Sequence, residues 1–400
     1  MILTTPQLNK RIASDLADFI VSRISQNTRG GYDHGLMPDI NTRARGASPD
    51  LHSKIERLSP DLHSQSLEYP ESSRARNYLV IKPQPEPGQI GISGFDIRLG
   101  RLIAWTDIVK QNITGEELLN LPHKFLEPGE EFVLDYDAEG NRVYYITSFE
   151  KVFLPSDLEM LIDSRSTAGR VGAMSQGVGW TNNGELVAIV QPYAFPLKVT
   201  CGETKLYQAA IRFRGSGYLE SEKILSGEFV RFNEDEQSLE GNLTPQGLAL
   251  KFATSLIYRA KKCDIPINMD IVGTIAPEDY WERIEGNSRT VIDAKTLYLL
   301  GSLGQIEIDS ACGLLSREEH VLTGTGTWGN FARIFQPFWR GSATMEVYGF
   351  GKREICRGDN AGMFMFDEIE MESEGTYAGS YQNQKSPALP KMFAPWKSAA

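Results

Sequence analysis

An internal repeat constrains the fold of this chain more than any other feature of its sequence. Residues 143–161 align without a gap on residues 297–315, and the hydrophobic run Val-Tyr-Tyr-Ile-Thr-Ser of the first overlies Leu-Tyr-Leu-Leu-Gly-Ser of the second. Each copy then passes from a hairpin-like hydrophobic pattern into a small or turn-forming cluster, at residues 155–157 and 309–311. A repeat of this length predicts two similar domains.

The polar residues that follow the two copies differ. After the first copy comes Arg-Ser-Thr-Ala-Gly-Arg at residues 165–170, a loop suited to anions. The second copy has no such loop, but Trp339-Arg340-Gly341 leads into a strand pattern that holds Glu346. This division predicts one site assembled from both copies, which come either from one chain or from neighbouring chains.

Composition and charge exclude some classes of partner. The chain has 400 residues, of which 41% are hydrophobic and 23% are charged, so it can form two domains with proper cores. Its net charge of −11 argues against a general electrostatic grip on polymeric nucleic acid. A small anionic ligand needs only a local cluster of donors, and the net charge does not argue against it.

Cysteine spacing and hydropathy predict a cytoplasmic protein. The four cysteines are widely spaced and form no Cys-x-x-Cys pair, which favours free thiols in a reducing compartment. The first residues lack the basic-then-apolar pattern of a signal peptide. The longest apolar stretches, such as residues 186–190, are too short to span a bilayer, so we expect no membrane association.

The order of patterns along the chain predicts a mainly β protein. Short β-like runs alternate with Gly, Pro, Asn and Asp turns in two long segments, as in an all-β sandwich or barrel. Thr5 can cap an N-terminal helix whose apolar residues recur at helical spacing. The predicted segments are an N-terminal helix (1–24), a polar insertion (25–77), the first β domain (78–214), an acidic linker (215–242), the second β domain (243–370) and a polar tail (371–400).

Four motifs in order resemble those of the dCTP deaminase and dUTPase superfamily. They are Gly-Ile-Ser-Gly-Phe-Asp-Ile-Arg-Leu-Gly at 91–100, Asp-Ser-Arg-Ser-Thr-Ala-Gly-Arg-Val-Gly at 163–172, the segment 332–346, and Tyr-Gln-Asn-Gln-Lys-Ser-Pro at 381–387. The tandem form resembles the long bacterial 2′-deoxycytidine 5′-triphosphate deaminases. The resemblance implies two tandem dUTPase-like distorted β-barrel domains, jelly-roll-like, after a short N-terminal helix. It further implies zinc-independent hydrolytic deamination of dCTP to dUTP and ammonia, in pyrimidine deoxynucleotide metabolism.

The Arg-rich loop has the groups that a triphosphate requires. Arg165, Ser166, Thr167 and Arg170 supply forked guanidinium donors and hydroxyls within six residues, and Gly169 permits close backbone approach. A surface turn with two solvated arginines explains the same residues equally well. The resemblance favours phosphate binding.

Glu346 is the candidate catalytic base. Strand alternation places Thr344, Glu346 and Tyr348 on one face of residues 343–348, and a solvent-facing strand residue is the simplest interpretation of a lone Glu. The resemblance instead makes Glu346 the base that takes a proton from water attacking cytosine C4 and passes it toward the departing amine. That role requires a partly buried carboxyl with a pKa near neutrality. In the first copy, Gln191 is the expected counterpart of Glu346, and an amide cannot act as that base.

The resemblance assigns the remaining roles. Ser166 and Arg170 assist Glu346 by polarising the attacked ring, and the backbone at Ala332 holds the base edge. Gln336 replaces an aspartate that often contacts the sugar, and Trp-Gly-Asn at 328–330 replaces a histidine. Asp96 and Arg98 are expected to brace the fold. The predicted substrate-binding residues are Arg165, Ser166, Thr167, Arg170, Ala332, Arg333, Gln336, Tyr381 and Gln384.

Neither His-x-Glu nor Pro-Cys-x-x-Cys is present, and His123 and His320 are isolated, so no zinc and no protein metal site is expected. Mg²⁺ is expected with the nucleotide triphosphate, held by phosphate oxygens and water. We also expect a homo-oligomer with sites between dUTPase-like units. Two alternatives remain: a dUTPase or bifunctional deaminase/dUTPase, which would need an acid to activate water at the α-phosphate, and a non-catalytic nucleotide sensor.

Overall fold

The structure is a computed structural model that describes residues 80–396 with several gaps. The gaps are residues 92, 111–112, 137–141, 181–183, 216, 227–228, 234–242, 245–246, 287, 310, 316–326 and 369–378. The predicted N-terminal helix (1–24) and polar insertion (25–77) therefore lie outside the described residues. Within the described part, the chain is mostly β-strand, with two β-rich units joined in tandem.

In its described residues, the first unit has ten strands, two α-helical turns and one 3-10 turn. The helices are α1 (Gly115–Asn120) and α2 (Ser166–Arg170), and the 3-10 turn is Pro87–Gln89. The strands are β1 (Val80–Lys82), β2 (Gly94–Thr106), β3 (His123–Phe125), β4 (Glu131–Leu134), β5 (Val143–Phe153), β6 (Leu158–Ser164), β7 (Ala173–Trp180), β8 (Glu185–Pro192), β9 (Leu197–Thr200) and β10 (Lys205–Phe213).

The second unit follows with a similar series of elements. A helical turn, α3 (Ser221–Leu225), precedes it, and a 3-10 turn lies at Pro277–Asp279. The strands are β11 (Val230–Asn233), β12 (Leu243–Thr244), β13 (Gly247–Ala260), β14 (Ile267–Asn268), β15 (Trp281–Glu285), β16 (Arg289–Ile292), β17 (Thr296–Ser302), β18 (Gln305–Ile308), β19 (Ala311–Leu315), β20 (Thr327–Gly329), β21 (Ile334–Phe335), β22 (Arg340–Gly341), β23 (Thr344–Gly349), β24 (Arg353–Cys356) and β25 (Asn360–Glu368).

The two main sheets have the same strand order. The first runs β6-β10-β2-β5-β8-β7, and the second runs β19-β25-β13-β17-β23-β20, with β21 added beyond β19. Smaller pairings also correspond, since β4 pairs with β9 as β16 pairs with β24. The first sheet forms a nearly closed barrel and the second a half-barrel, which confirms the predicted fold class.

The longest strand of each unit bends at the same point of the repeat. The pairing of β2 with β5 shifts register between Leu99 and Ile103, and that of β13 with β17 shifts between Ala253 and Ile257. A β-bulge bends a strand and increases its twist, so one long strand can serve both sides of a barrel. The alternating burial of Leu248, Leu250 and Phe252 along β13 shows which face packs inward.

The core of the first unit continues into the second. It includes Leu297 and Leu299 of β17, Phe331, and Tyr348 of β23, whereas the inward face of the second unit forms its own core. The two units therefore share a buried apolar boundary, and polar groups within it are shielded from water. No helix among the described residues is long and apolar enough to cross a membrane.

Candidate active site

A narrow cavity lies where the two units meet. Its wall combines residues of the first unit, the second unit and the C-terminal segment. The lining residues are Ser166, Arg170 and Gln208 from the first unit, Ala332, Ile334, Phe335, Gln336, Trp339, Thr344 and Glu346 from the second, and Tyr381 from the C-terminal segment.

Glu346 reaches this cavity from the middle of β23. It pairs with Leu299 of β17, and its side chain is only 2% exposed. Met345 and Val347 point into the core of the second unit, while Tyr348 packs in the core shared with the first. The predicted alternation of faces is confirmed, and the face that carries Glu346 is turned toward the first unit. The simple interpretation of Glu346 as a solvent-facing residue is wrong.

Burial controls the ionisation of Glu346. Desolvation raises its pKa to about 7, against the opposing effects of the Arg170 guanidinium and the Ala332 N–H. That amide donates to Glu346 Oε2 at 3.4 Å. Asp163 adds a smaller effect that also raises the pKa. A carboxyl of this pKa can both accept and release a proton near neutral pH.

Helix α2 brings the first unit's polar groups against the second unit. A Cβ at Gly169 would lie 2.9 Å from Ala332 Cβ and 3.0 Å from Ala332 N, so only glycine permits this approach. The approach places Ser166 and Arg170 in the wall that also contains Glu346. Arg170 itself is only 4% exposed.

The first unit also holds the segment that carries Ala332. Asp163 Oδ2 accepts hydrogen bonds from Arg333 N at 2.8 Å and Arg333 Nε at 3.0 Å. The Gln208 side-chain amide donates to the carbonyl of Ile334 at 3.2 Å. Ser93 Oγ donates to Gln336 Oε1 at 2.6 Å. Residues 332–336 are thus fixed at three points by the other unit.

Residues 379–396, which we call the C-terminal strap, cover Arg170. The guanidinium carbon lies 3.6 Å from the centre of the Tyr381 ring. Arg170 Nη1 donates to the carbonyl of Ala388 at 2.8 Å, and both terminal nitrogens lie 3.3 Å from Gln384 Oε1. Tyr381 Oη and Thr167 Oγ1 are 3.1 Å apart. The strap therefore holds the guanidinium by ring stacking and by hydrogen bonds.

Comparison with known proteins identifies the fold of the chain. No protein-family profile and no curated protein matches the chain. Among solved structures, it resembles the crystal structure of 2′-deoxycytidine 5′-triphosphate deaminase from Agrobacterium tumefaciens, with a TM-score of 0.62 and 19% sequence identity. The likeness covers 74% of this chain and 94% of that one. It shows the fold.

The predicted site residues occupy three kinds of position. Ser166, Arg170, Ala332, Gln336, Tyr381 and Glu346 line the cavity. Arg165 instead pairs with Asp96 at 3.0 Å, and Arg333 is turned to Asp163. Thr167 is buried against Tyr381, and Gln384 reaches Thr344 Oγ1 at 3.1 Å as well as Arg170. These last four contact or adjoin cavity residues without forming the cavity wall.

The residue that corresponds to Glu346 in the first unit is Ile189, and the prediction of Gln191 is wrong. Ile189 pairs with Tyr145 as Glu346 pairs with Leu299, and the repeat matches Tyr145 to Leu299. The offset between copies is 154 residues at β5 and 157 residues at β8, because the second copy has a longer connection before β23. Neither residue is acidic, so the first unit still offers no carboxyl at this position.

The sequence reasoning missed the side chains that join the two units. Asp163 was part of a recognised motif and Gln208 was not, but neither carried a predicted role. The pairing of β6 with β10 sets Asp163 opposite Gln208, so both side chains reach residues 333 and 334 of the second unit. In the sequence, an aspartate at the end of a largely apolar strand was the only signal for Asp163.

The first motif has two functions in the structure. Arg98 Nε forms a buried ion pair with Glu150 at 2.7 Å, which agrees with the expected bracing role. Asp96 contacts Arg165 at the start of the predicted phosphate loop, and burial raises the pKa of Asp96 while Arg165 opposes that shift. Among the described residues, no group of three His, Cys, Asp or Glu side chains is arranged to hold a metal ion.

Proposed function

We propose that the protein hydrolytically deaminates dCTP to dUTP and ammonia. The observation that carries this proposal is Glu346, a buried carboxyl with a pKa of about 7 in a cavity shared with a guanidinium from the other unit. Burying a carboxyl is unfavourable unless it is compensated, and a perturbed pKa inside a cavity is typical of catalytic acids and bases. The fold shared with a dCTP deaminase supports the same reaction class.

In this reaction Glu346 moves the protons. As the carboxylate it takes a proton from water while the water oxygen bonds to C4 of cytosine, and it then delivers a proton to the exocyclic amine. The C4–N bond breaks, and ammonia leaves with the electron pair of that bond. Ser166 and Arg170 stabilise negative charge that develops on the ring, and the backbone at Ala332 holds the base edge.

The triphosphate binds the loop at the start of α2. Arg165, Ser166, Thr167 and Arg170 supply guanidinium and hydroxyl donors, which suit phosphate oxygens. Mg²⁺ enters as part of the substrate, coordinated by phosphate oxygens and water. Gln336 carries an amide where hydrolysis at the α-phosphate would need an acid, so we favour deamination over cleavage of dUTP.

Product separation tests this proposal directly. Purified protein is incubated with dCTP and Mg²⁺ in the presence of a zinc-selective chelator, and dCTP, dUTP and dUMP are separated. We expect dUTP and one equivalent of ammonia. Formation of dUMP and pyrophosphate from dUTP, with dCTP untouched, would transfer the assignment to a dUTPase. Tight binding of dCTP without any product would favour a nucleotide sensor.

A further inference from the structure

Asp163 is a buried acid of the first unit that contacts the second unit. Its side chain is 2% exposed, and it lies near the end of β6, three positions before α2. It reaches across the boundary between units and accepts hydrogen bonds from both the backbone N–H and the side-chain Nε–H of Arg333. The strand that leads into the phosphate loop therefore also holds the neighbour of Ala332.

We propose that Asp163 is a positioning residue which, from the first unit, fixes the backbone segment whose amide faces the Glu346 carboxylate and sets its own negative charge against that carboxylate. The proposal rests on the proposed function of Glu346. Asp163 acts through Arg333, since anchoring Arg333 N sets the position of Ala332, whose N–H donates to Glu346 Oε2. Gln208, directly opposite Asp163 on β10, anchors the next carbonyl along, that of Ile334.

The charge of Asp163 gives the proposal a distinctive signature. The groups that face Glu346 are Arg170 from α2, Asp163 from β6 and the Ala332 amide. Asp163 raises the pKa of Glu346, whereas the other two lower it. An Asp163→Asn substitution keeps an oxygen acceptor for Arg333 N and removes the charge. The pKa of Glu346 should consequently fall.

The pH dependence of kcat/KM for dCTP measures this effect. In Asp163→Asn, we expect the acidic limb of the profile to move to lower pH by roughly half a unit or more. Asp367→Asn is the matched control, because Asp367 is equally buried, pairs across the same boundary with Arg212 at 3.1 Å, and is not among the groups named as shifting the pKa of Glu346. An unchanged limb in Asp163→Asn, or equal shifts in both variants, would overturn the proposal.

A second readout does not depend on catalysis. In protein labelled with ¹⁵N-alanine, the Ala332 amide resonance, assigned through Ala332→Gly, should titrate with Glu346 near pH 7. Its midpoint should fall in Asp163→Asn and stay constant in Asp367→Asn. If the wild type deaminates nothing and the midpoint still moves, the proposed function fails and the positioning role stands. If deamination is normal and the midpoint does not move, the positioning role fails alone.

A charge-balanced variant guards against misfolding. Asp163→Asn combined with Arg333→Gln replaces the ion pair by two amides and leaves no unpaired buried charge. The Glu346 midpoint should lie between those of the wild type and Asp163→Asn, because loss of the Arg333 charge offsets part of the effect of losing the Asp163 charge. A midpoint below that of Asp163→Asn would overturn the proposal.

Discussion

At the scale of single residues, Glu346 lies in a buried environment that disfavours its ionised form. The side chain has almost no solvent contact, and one amide and one guanidinium offset only part of the desolvation cost. Such a carboxyl destabilises the folded protein when it is ionised. We infer that this cost is retained for catalysis, and two predictions follow from it.

Replacing Glu346 by Gln keeps the shape of the side chain and removes the base. Turnover of dCTP should fall by roughly two to four orders of magnitude, while nucleotide binding persists because the loop proposed to bind phosphate is unchanged. Steady-state kinetics and calorimetric binding of dCTP measure the two effects separately. Turnover close to that of the wild type would return Glu346 to a structural role.

The same substitution should stabilise the protein at alkaline pH. Because the pKa of Glu346 rises from 4.5 to about 7 on folding, the folded state binds more protons between these values, and stability falls as pH rises through them. The ionised carboxyl then costs roughly 3 kcal/mol. Glu346→Gln should therefore melt at a higher temperature than the wild type at pH 8, with little advantage at pH 5. An equal difference at both pH values would contradict the shifted pKa.

Which residues were predictable depends on how far their partners lie along the chain. The positions of Glu346 and Arg170 follow from local spacing, and the strand alternation around Glu346 was correct. The role of Asp163 depends on Arg333, 170 residues away, and on a boundary between units that no local pattern encodes. Its partner could only be found in the folded chain.

At the scale of elements, the packing of α2 against residues 331–336 assembles the site. Gly169→Ala would place a methyl group 2.9 Å from Ala332 Cβ and push the helix away from the segment that contacts Glu346. Overpacking of this kind costs about 1–3 kcal/mol, and we expect at least a tenfold loss of turnover.

Two further variants make the Gly169 experiment specific. Gly351→Ala is the matched control, since a Cβ there meets nothing within 4 Å, and it should leave turnover unchanged. Adding Ala332→Gly to Gly169→Ala removes the nearest carbon and should restore part of the activity. Full activity in Gly169→Ala alone would mean that the close approach is not required.

The strap makes a second prediction about elements. Tyr381→Ala removes the ring that stacks on Arg170, so both the melting temperature and the affinity for dCTP should fall. Tyr381→Phe keeps the ring and loses only the contacts of the hydroxyl with Thr167 and Lys391 N, at a cost of about 1 kcal/mol. Thermal melting and dCTP titration of both variants separate stacking from hydrogen bonding. Equal losses in the two variants would contradict the stacking role.

The likeness of the two units could be anticipated better than the register of their strands. The repeat at β5 and β17 keeps its offset of 154 residues, because both copies form the same central strand. Beyond it the connection lengths differ, and only the pairing of β23 with β17 shows that Ile189 matches Glu346. Register is set by contacts between strands, which a gapless comparison of sequences does not contain.

At the scale of the whole molecule, two units with the same strand order contribute different groups to the candidate site. The first supplies the donors at Ser166 and Arg170 and the anchor at Asp163, and the second supplies the carboxyl at Glu346. All of these groups meet within a single chain. A site composed in this way requires both units to be present and correctly packed, whatever the state of association of the chain.

The most direct measurement of this claim mixes two inactive variants. Arg170→Ala and Glu346→Gln chains are co-expressed with different tags, and any mixed oligomer is purified through both tags, or the chains are shown to be monomers. Because both groups lie in one chain, dCTP turnover in the mixture should equal the sum of the two residual activities. If the groups instead met across chains, one of the two sites in each doubly tagged dimer would be intact, and about half of wild-type turnover would be restored. Recovery of that size would contradict a site contained within one chain.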